Sequence, residues 1–469
     1  MGSVHAKAPE TYPAMVAKQG SAPPTPPPPP GMKQHVLVLD NQQAKVEHVH
    51  ISGLKKTKAD LVAHLVKDVL SATSIQEVIK KSNEARQKMD KLAIFKSIAI
   101  IIDTSKGERA DPHGLDVTFD VKEAKSIKGG VHTLVGNNEG SLVLGLKFPN
   151  VFGRAEKISA EYSYGSKKST GFHVAFTKPI RGDMQKCLTT TAFKVMTDFP
   201  PSGYKEIGRG VSVDLSFPSI FGRQSLRWEG VWRELQCLTR TTAFAVREES
   251  GHTLKSSLKH ILVRDTRDEN IFPSSGYLLK LNQELAGYTG GDIKFIKEEV
   301  ELQLNQSLFW NMVLSCSVAG GVLKPLEDTT SNILDRYFLG GPNSVRGFSF
   351  RGIGPHSDGE AVGAEAYWAA GLHLYTPLPF NPGKGGFGEL FRTHFFVNAG
   401  NLGTINFDEP WNTNLDRMLE TLRWSYGAGL VFRLGKIARL ELNYCIPMRA
   451  ANTDKINEGF QFGVGINFL

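Results

Sequence analysis

Lys157-Ile-Ser-Ala-Glu-Tyr-Ser-Tyr164 sets charged and hydroxyl side chains at 157, 159, 161 and 163 against apolar or aromatic ones at 158, 160, 162 and 164. A period of two marks a strand with two chemically different faces, because successive side chains leave opposite sides of the backbone. The preceding stretch does the same: Leu142, Leu144, Leu146 and Phe148 point one way, and Ser141, Gly145 and Lys147 the other. From Gly129 to Leu469 this texture recurs at hairpin spacing, and helical periodicity nearly disappears. A soluble sandwich, serving as a binding module, would also alternate, but it would bury its apolar face against a second sheet. Here nearly every strand has the same bias, which predicts a transmembrane antiparallel β-barrel with apolar and aromatic residues toward lipid and polar residues toward the lumen. At roughly 20 residues per strand and connection, the segment holds about 16 strands, an even number as a barrel built of hairpins needs. No run of about 18 or more apolar residues occurs, so no transmembrane helix is predicted.

Working outward, Phe148-Pro-Asn-Val-Phe-Gly-Arg154 recurs as Phe217-Pro-Ser-Ile-Phe-Gly-Arg223. This internal repeat puts equivalent short turns on one rim if four strands intervene. Toward the N-terminus the composition changes twice. Residues 1–43, with Pro23, Pro24 and the run Pro26 to Pro30, have little to build a core from and read as a disordered, Pro-rich arm. Residues 44–125 read as a compact α+β domain in the order β-α-α-β-β: a strand over Val46 to Ile51, helices over Lys58 to Leu70 and Ser74 to Leu92, then strands over Phe95 to Ile102 and Leu115 to Val121. Leu61, Leu65 and Val69 form one apolar helical stripe, and Ile75, Val78 and Ile79 a second, so both helices would cover one face of a small sheet. Residues 126–469 are the barrel.

The net charge of +8 and pI near 9.1 come from basic residues spread along the chain, which does not suit a nucleic-acid surface. Cys187, Cys237, Cys316 and Cys445 lie far apart, with no Cys-x-x-Cys spacing, and read as isolated thiols. No charged N-terminal region followed by an apolar core predicts a cleaved secretory signal. Catalytic motifs are missing too: no phosphate-binding Gly-rich loop ending in Lys-Ser/Thr, no His-Glu-x-x-His, no Gly-x-Ser-x-Gly. The chain is read as no enzyme, with no cofactor and no metal. His48 and His50, two apart on one strand face, offer at most half a metal site and read as surface histidines, and the Asn305-Gln-Ser307 sequon falls inside a predicted strand.

One stretch breaks the alternation. Gly340-Gly-Pro-Asn-Ser-Val-Arg-Gly-Phe-Ser-Phe-Arg-Gly-Ile-Gly354 is too irregular for a packed strand, and Arg346 presents a permanently charged planar fork that needs an anion or carbonyl if it goes inside. It closely resembles the inward-folded loop of the outer-membrane insertase superfamily, whose bacterial member is BamA and whose mitochondrial member is the core barrel of the sorting and assembly machinery. Three further stretches carry the resemblance. Asp265 to Gly276, with Phe-Pro-x-x-Gly, looks like the superfamily's strand-turn-strand motif. Phe396-Val-Asn-Ala-Gly400 resembles the wall that receives the loop, except that Asn398 stands where the family commonly has an acid. Gln461-Phe-Gly-Val-Gly-Ile-Asn-Phe468 matches the terminal signal of mitochondrial and bacterial barrels. The 44–125 unit resembles a polypeptide-transport-associated (POTRA) domain.

The resemblance implies an insertase that folds β-barrel proteins into the mitochondrial outer membrane through a lateral gate between the first and last strands, with the POTRA domain in the intermembrane space. The loop motif would be Val345, Arg346, Gly347 and Phe348; the receiving wall Phe396, Asn398 and Gly400, with Glu441 substituting as the acid because its strand parity points it to the lumen. The gate and terminal signal would be Gln461, Gly463, Gly465, Ile466 and Phe468, with Phe460, Phe462, Val464, Ile466 and Phe468 facing lipid and the paired glycines weakening the seam. Arg351, just outside the core motif, is expected to tolerate lysine better than Arg346. Implied partners are client barrel precursors, metaxin-type subunits, the inner-membrane cristae-organising complex and membrane lipid. The competing reading is a passive channel conducting polypeptides or metabolites.

Overall fold

The computed structural model describes residues 43–105, 111, 113–136, 139–327, 329–378, 387–435, 437–466 and 468–469. The Pro-rich arm therefore lies outside the described residues, apart from Gln43. The chain divides into two units after Ala124.

In the N-terminal unit, β1 (Lys45–Ser52), α1 (Ala59–Val66), a 3-10 turn (Lys67–Ser71), α2 (Ile75–Lys91), β2 (Phe95–Thr104) and β3 (Gly114–Glu123) follow in that order. The sheet order is β1-β3-β2, with β3 parallel to β1 and antiparallel to β2. Ser74 starts α2 by accepting the backbone N–H of Glu77 at 3.3 Å, while Glu77 reaches back to the N–H of Thr73 at 2.9 Å, which satisfies donors left open in the first turn. Leu61, Leu65 and Val69 are buried as their spacing predicts. The second stripe runs differently: Val78, Ser82, Ala85 and Met89 face the sheet, and Ile79 is exposed because the i, i+4, i+7, i+11 path leaves it on the flank.

In the second unit, fifteen strands form one antiparallel sheet whose neighbours follow chain order, the single skip being from Val313–Pro325 to Ala366–Pro377. The longest element, Gly276–Ser307, has 32 residues. At about 3.3 Å per residue it would be some three times as long as a bilayer core is thick, so it cannot be one run. It doubles back at Gly290-Gly291, both at positive φ, and Lys280 faces Glu301 (3.5 Å), Asn282 faces Glu299 (3.0 Å) and Gln283 faces Glu298 (3.4 Å). Its first leg pairs with Gly251–Asp265 and its second with Val313–Pro325, so the fifteen elements amount to sixteen legs. Four strands separate the two copies of the Phe-Pro-x-x-Phe-Gly-Arg repeat, which puts both turns on one rim.

The two faces are inverted relative to a water-soluble sheet. On Gly222–Cys237, Leu226, Trp228 and Trp232 are exposed on the outside, whereas Glu229 and Arg233 are buried inside. The inner face closes its charges in chains: Glu229 with Lys259 (3.3 Å), Lys259 with Glu284 (3.6 Å), and Glu284 with Lys255 (2.7 Å). At the two ends of the sheet, Lys128–Gly136 and Gly459–Gly465 come within 8 Å of each other by Cα position, yet no ladder joins them among the described residues. All four cysteines are free.

An inward loop and its wall

The segment between Pro325 and Ala366 turns in against the inner face of the sheet and is fixed at several places, three of which carry buried charge. The first is Asp335, which takes both Nη atoms of Arg233 at 2.9 Å and Lys255 Nζ at 2.8 Å, all buried. Second is Arg351, whose guanidinium lies between the rings of Phe338 (3.8 Å) and Phe199 (4.1 Å) and donates to Ser202 Oγ (2.9 Å) and Tyr204 Oη (3.0 Å). Stacking of this kind pins a residue whose φ of +57° is unfavourable for anything but glycine.

The third is Arg346. It is wholly buried, as is Glu441, and the fork points Nε (3.1 Å) and Nη2 (2.8 Å) at one oxygen, Glu441 Oε2. Nη1 donates to Asn398 Oδ1 (3.0 Å) and to the main-chain oxygen of Leu469 (3.2 Å). The grip is thus distributed over three acceptors, not a side-on pair with both carboxylate oxygens. Asn398, neutral where an acid is common, still supplies an acceptor, and the carboxylate comes from Glu441. Glu441 also faces Arg439 Nε at 3.0 Å and accepts from Asn443 Nδ2 at 2.9 Å. Behind it runs a buried chain that the sequence did not single out: Asn443 Oδ1 to His394 Nδ1, and His394 Nε2 to His373 Nδ1, each 2.9 Å. Strand parity, the signal that located Glu441, would have found them.

The remaining motif residues gather at the same place. Phe396 lies under the Arg346 guanidinium at 5.1 Å. Gly400 leaves room for the loop, because a Cβ there would stand 3.2 Å from Val345 Cγ2 and 2.8 Å from the carbonyl oxygen of Trp368. Val345 and Phe348 are buried in one apolar cluster with Tyr337, Leu339 and Leu402. Gly347 has φ +84° and sits against Ser425, whose hydroxyl donates to the carbonyl of Arg346 at 2.5 Å. Gln461 on the last strand holds the loop backbone with both ends of its amide: it accepts from Gly347 N–H (3.0 Å) and donates to Phe348 O (2.9 Å). Four successive strands, those carrying Asn398, Ser425, Glu441 and Gln461, therefore grip the loop.

One expectation about the terminal strand changes. The strand ends at Gly465; Phe460, Phe462 and Ile466 are exposed outward, but Phe468 is turned inward and buried beneath Arg439 (4.1 Å) and Arg346 (5.6 Å). Its ring is more stable stacked on two cations than exposed past the end of a strand. The glycines have a packing reason as well: a Cβ on Gly463 would stand 3.1 Å from Pro342 Cβ and 3.2 Å from the Phe468 ring, and one on Gly465 3.1 Å from Asn343 Nδ2. Arg351 is nearly as deeply buried as Arg346 and is held by planar stacking that lysine cannot reproduce, so its replacement by lysine is expected to have a cost of its own, smaller than that at the Arg346 ion pair. His48 and His50 are exposed and stacked, and it is Glu47, His48 and Asp116 whose ligand atoms cluster, without His50.

A strand-built wall with polar residues inward, and an arginine loop locked against its last strands, defines a class of membrane β-sheet protein: the Omp85 superfamily domain matches residues 150–468. The chain belongs to the sorting and assembly machinery component 50 family of that superfamily. It is 54% identical over 469 residues, all of both chains, to sorting and assembly machinery component 50 homolog B of Xenopus laevis. The Homo sapiens homolog is 52% identical over 472 aligned residues, again all of both. Among solved structures, BamA from Haemophilus ducreyi lacking POTRA domains 1–3 superposes with TM-score 0.75 at 19% identity, covering 90% of this chain and 84% of that one, a likeness of fold.

Proposed function

We propose that this chain folds and inserts β-barrel proteins into the mitochondrial outer membrane, with the sheet closed as a barrel and its terminal strands as a lateral gate. The observation that carries the reading is the pair of sheet ends that approach within 8 Å by Cα position with no ladder between them among the described residues. An unpaired edge is untenable in lipid, where its N–H and C=O groups find no water, so it is satisfied by whatever strand reaches it. A client's terminal strand offers such a partner. Pairing is exchanged, and burial of the client in lipid supplies the energy without nucleotide or covalent chemistry. The locked loop braces the last strand through Gln461 and shapes the cavity in which client hairpins form.

The N-terminal unit, in this reading a POTRA domain in the intermembrane space, offers the free edges of its short β1-β3-β2 sheet to extended client segments. Metaxin-type subunits and the inner-membrane cristae-organising complex are its proposed partners, following the family. The N-terminal unit and a loop tied to four strands of one wall disfavour a simple metabolite porin, which leaves a polypeptide-conducting pore as the competing reading. The test is crosslinking of an arrested client's terminal strand to single cysteines in Lys128–Gly136 and in Gly459–Gly465. Adducts at these strands support the reading; adducts only at inner-face positions far from them, such as Glu229, would favour a conducting pore.

A further inference from the structure

The connection between Phe391–Gly403 and Arg423–Leu434 contains a helix, Trp411–Glu420, that the insertase account does not use. It belongs to the same rim as the inward loop, opposite the rim at which Lys128 begins the sheet. The helix is fastened to the outside of the wall. Parity shows this: on Ala366–Pro377 the buried His373 and Tyr375 point inward, so Ala366, Trp368 and Leu372 point outward. Met418 packs on Ala366 and Ile405 with Trp368 and Val322 beside them. Trp368 Nε1 donates to the Met418 carbonyl at 3.4 Å, and Asn401 Nδ2 donates to it at 2.6 Å. The flank beside this packed face carries Trp411, Leu415 and Leu419, spaced four residues apart and 64%, 58% and 49% exposed.

From this we infer that Trp411–Glu420 is an in-plane lipid anchor, its Trp411–Leu415–Leu419 stripe buried at the boundary between headgroups and acyl chains. The inference rests on the proposed membrane reading of the sheet. Three observations select lipid as the occupant. The stripe continues the exposed apolar outer face, with Val318, Leu372 and Val397 on the strands beneath. With 10 residues, about 15 Å long, the helix can lie along the boundary but not cross it. A tryptophan leads the stripe, the side chain suited to an interface where one end is apolar and the other wet. The polar flank carries Asp416 and Glu420 against Arg417, which is itself paired with Glu409 at 2.8 Å. Attraction to anionic headgroups therefore contributes nothing, and binding comes from apolar area alone. By tethering its part of the rim to the membrane surface, the helix would hold the wall that carries Asn398 at a fixed depth while strands at the sheet ends move.

The test places a photo-crosslinking amino acid at 415, 419, 413 or 420 of the full chain in native membranes and separates lipid adducts from protein adducts by mass. Lipid adducts several-fold stronger at 415 and 419 than at 413 and 420 are expected, unchanged when anionic lipid is lowered in reconstituted vesicles. Positions 372 and 397 on the wall are the reference. Lipid adducts at 372 and 397 with none at 415 or 419 would overturn the anchor alone, and protein adducts at 415 would assign the stripe to a partner instead. Failure at all four apolar positions would overturn the membrane reading and the anchor with it. A second readout needs no crosslinker: the part of the tryptophan fluorescence lost in Trp411→Phe should be quenched more by bromines near the headgroup end of the acyl chain than by bromines at its tip. Quenching by neither would again contradict the anchor.

Discussion

At Arg346 a single guanidinium satisfies a carboxylate, a side-chain amide and a main-chain oxygen at once. Lysine can neutralise Glu441 but cannot reach the other two with a point charge on a flexible stem. Losing one member of such a buried pair typically costs about 3–5 kcal/mol, enough to free the loop from the wall. Arg346→Lys is therefore expected to lower client barrel assembly nearly as far as Arg346→Ala, measured in membranes at matched abundance, with protease cutting of the loop rising in both. Arg351→Lys is expected to loosen the loop too, by about 1–2 kcal/mol, because the stack between Phe338 and Phe199 needs a plane. Wild-type protease resistance in Arg351→Lys would contradict this. Gly400→Ala is the steric counterpart: a methyl meeting Val345 and the Trp368 carbonyl should displace the loop while leaving every charge in place, raising protease cutting without removing the Arg346–Glu441 pair. Arg346 and Glu441 were legible in the sequence, one from an irregular glycine-rich stretch and the other from strand parity. The inward turn of Phe468 was not, because alternation continues on paper past the point where the strand stops.

Among the elements, the loop behaves as a strut on ionic feet: Arg346 on Glu441, Arg336 on Glu249, and Asp335 on Arg233 and Lys255. Asp335→Asn leaves those two cations buried with half their compensation, so loop cutting should increase even though the Arg346 site is intact. The combination Asp335→Asn with Arg346→Lys should exceed either alone if the feet act independently. In the N-terminal unit, Glu123 ties the turn after β1 to β3: it accepts from the N–H groups of Lys55, Lys56 and Thr57 and from the Thr57 hydroxyl at 2.6 Å. Burial opposes its ionisation, but these donors outweigh that and hold its carboxyl below the ordinary glutamate range. A depressed carboxylate stabilises the fold above its unfolded pKa and loses that contribution as pH falls through the folded value. Hydrogen exchange of Lys56 and Thr57, corrected for intrinsic rates, should therefore accelerate as pH drops below about 4 in the wild type, and show no such step in Glu123→Gln. Helices and strands here were readable from periodicity. The doubling back at Gly290-Gly291 has its signal in the paired glycines and in the phase of the alternation, which flips there: even positions such as Leu278 and Glu284 are buried before the turn, and even positions such as Ile296, Val300 and Leu304 are exposed after it.

For the whole molecule, the sequence conveyed the inside-out distribution of polar and apolar residues because every strand repeats it. It could not convey which strands grip the loop, since that depends on contacts between residues a hundred positions apart, such as Gly347 and Gln461. In the proposed mechanism the ends of the sheet part to admit a client strand. The last strand is tied to the loop, whereas the ladder that Lys128–Gly136 makes among the described residues runs to Glu139–Pro149. The most direct measurement is client insertion into membranes by a protein with one cysteine in Lys128–Gly136 and one in Gly459–Gly465, oxidised to a disulfide and then reduced, with protease resistance of the loop as the check on folding. The locked protein is expected to stay folded, to stop inserting clients and to resume on reduction; insertion at the normal rate with the disulfide closed would rule out a gate between these strands.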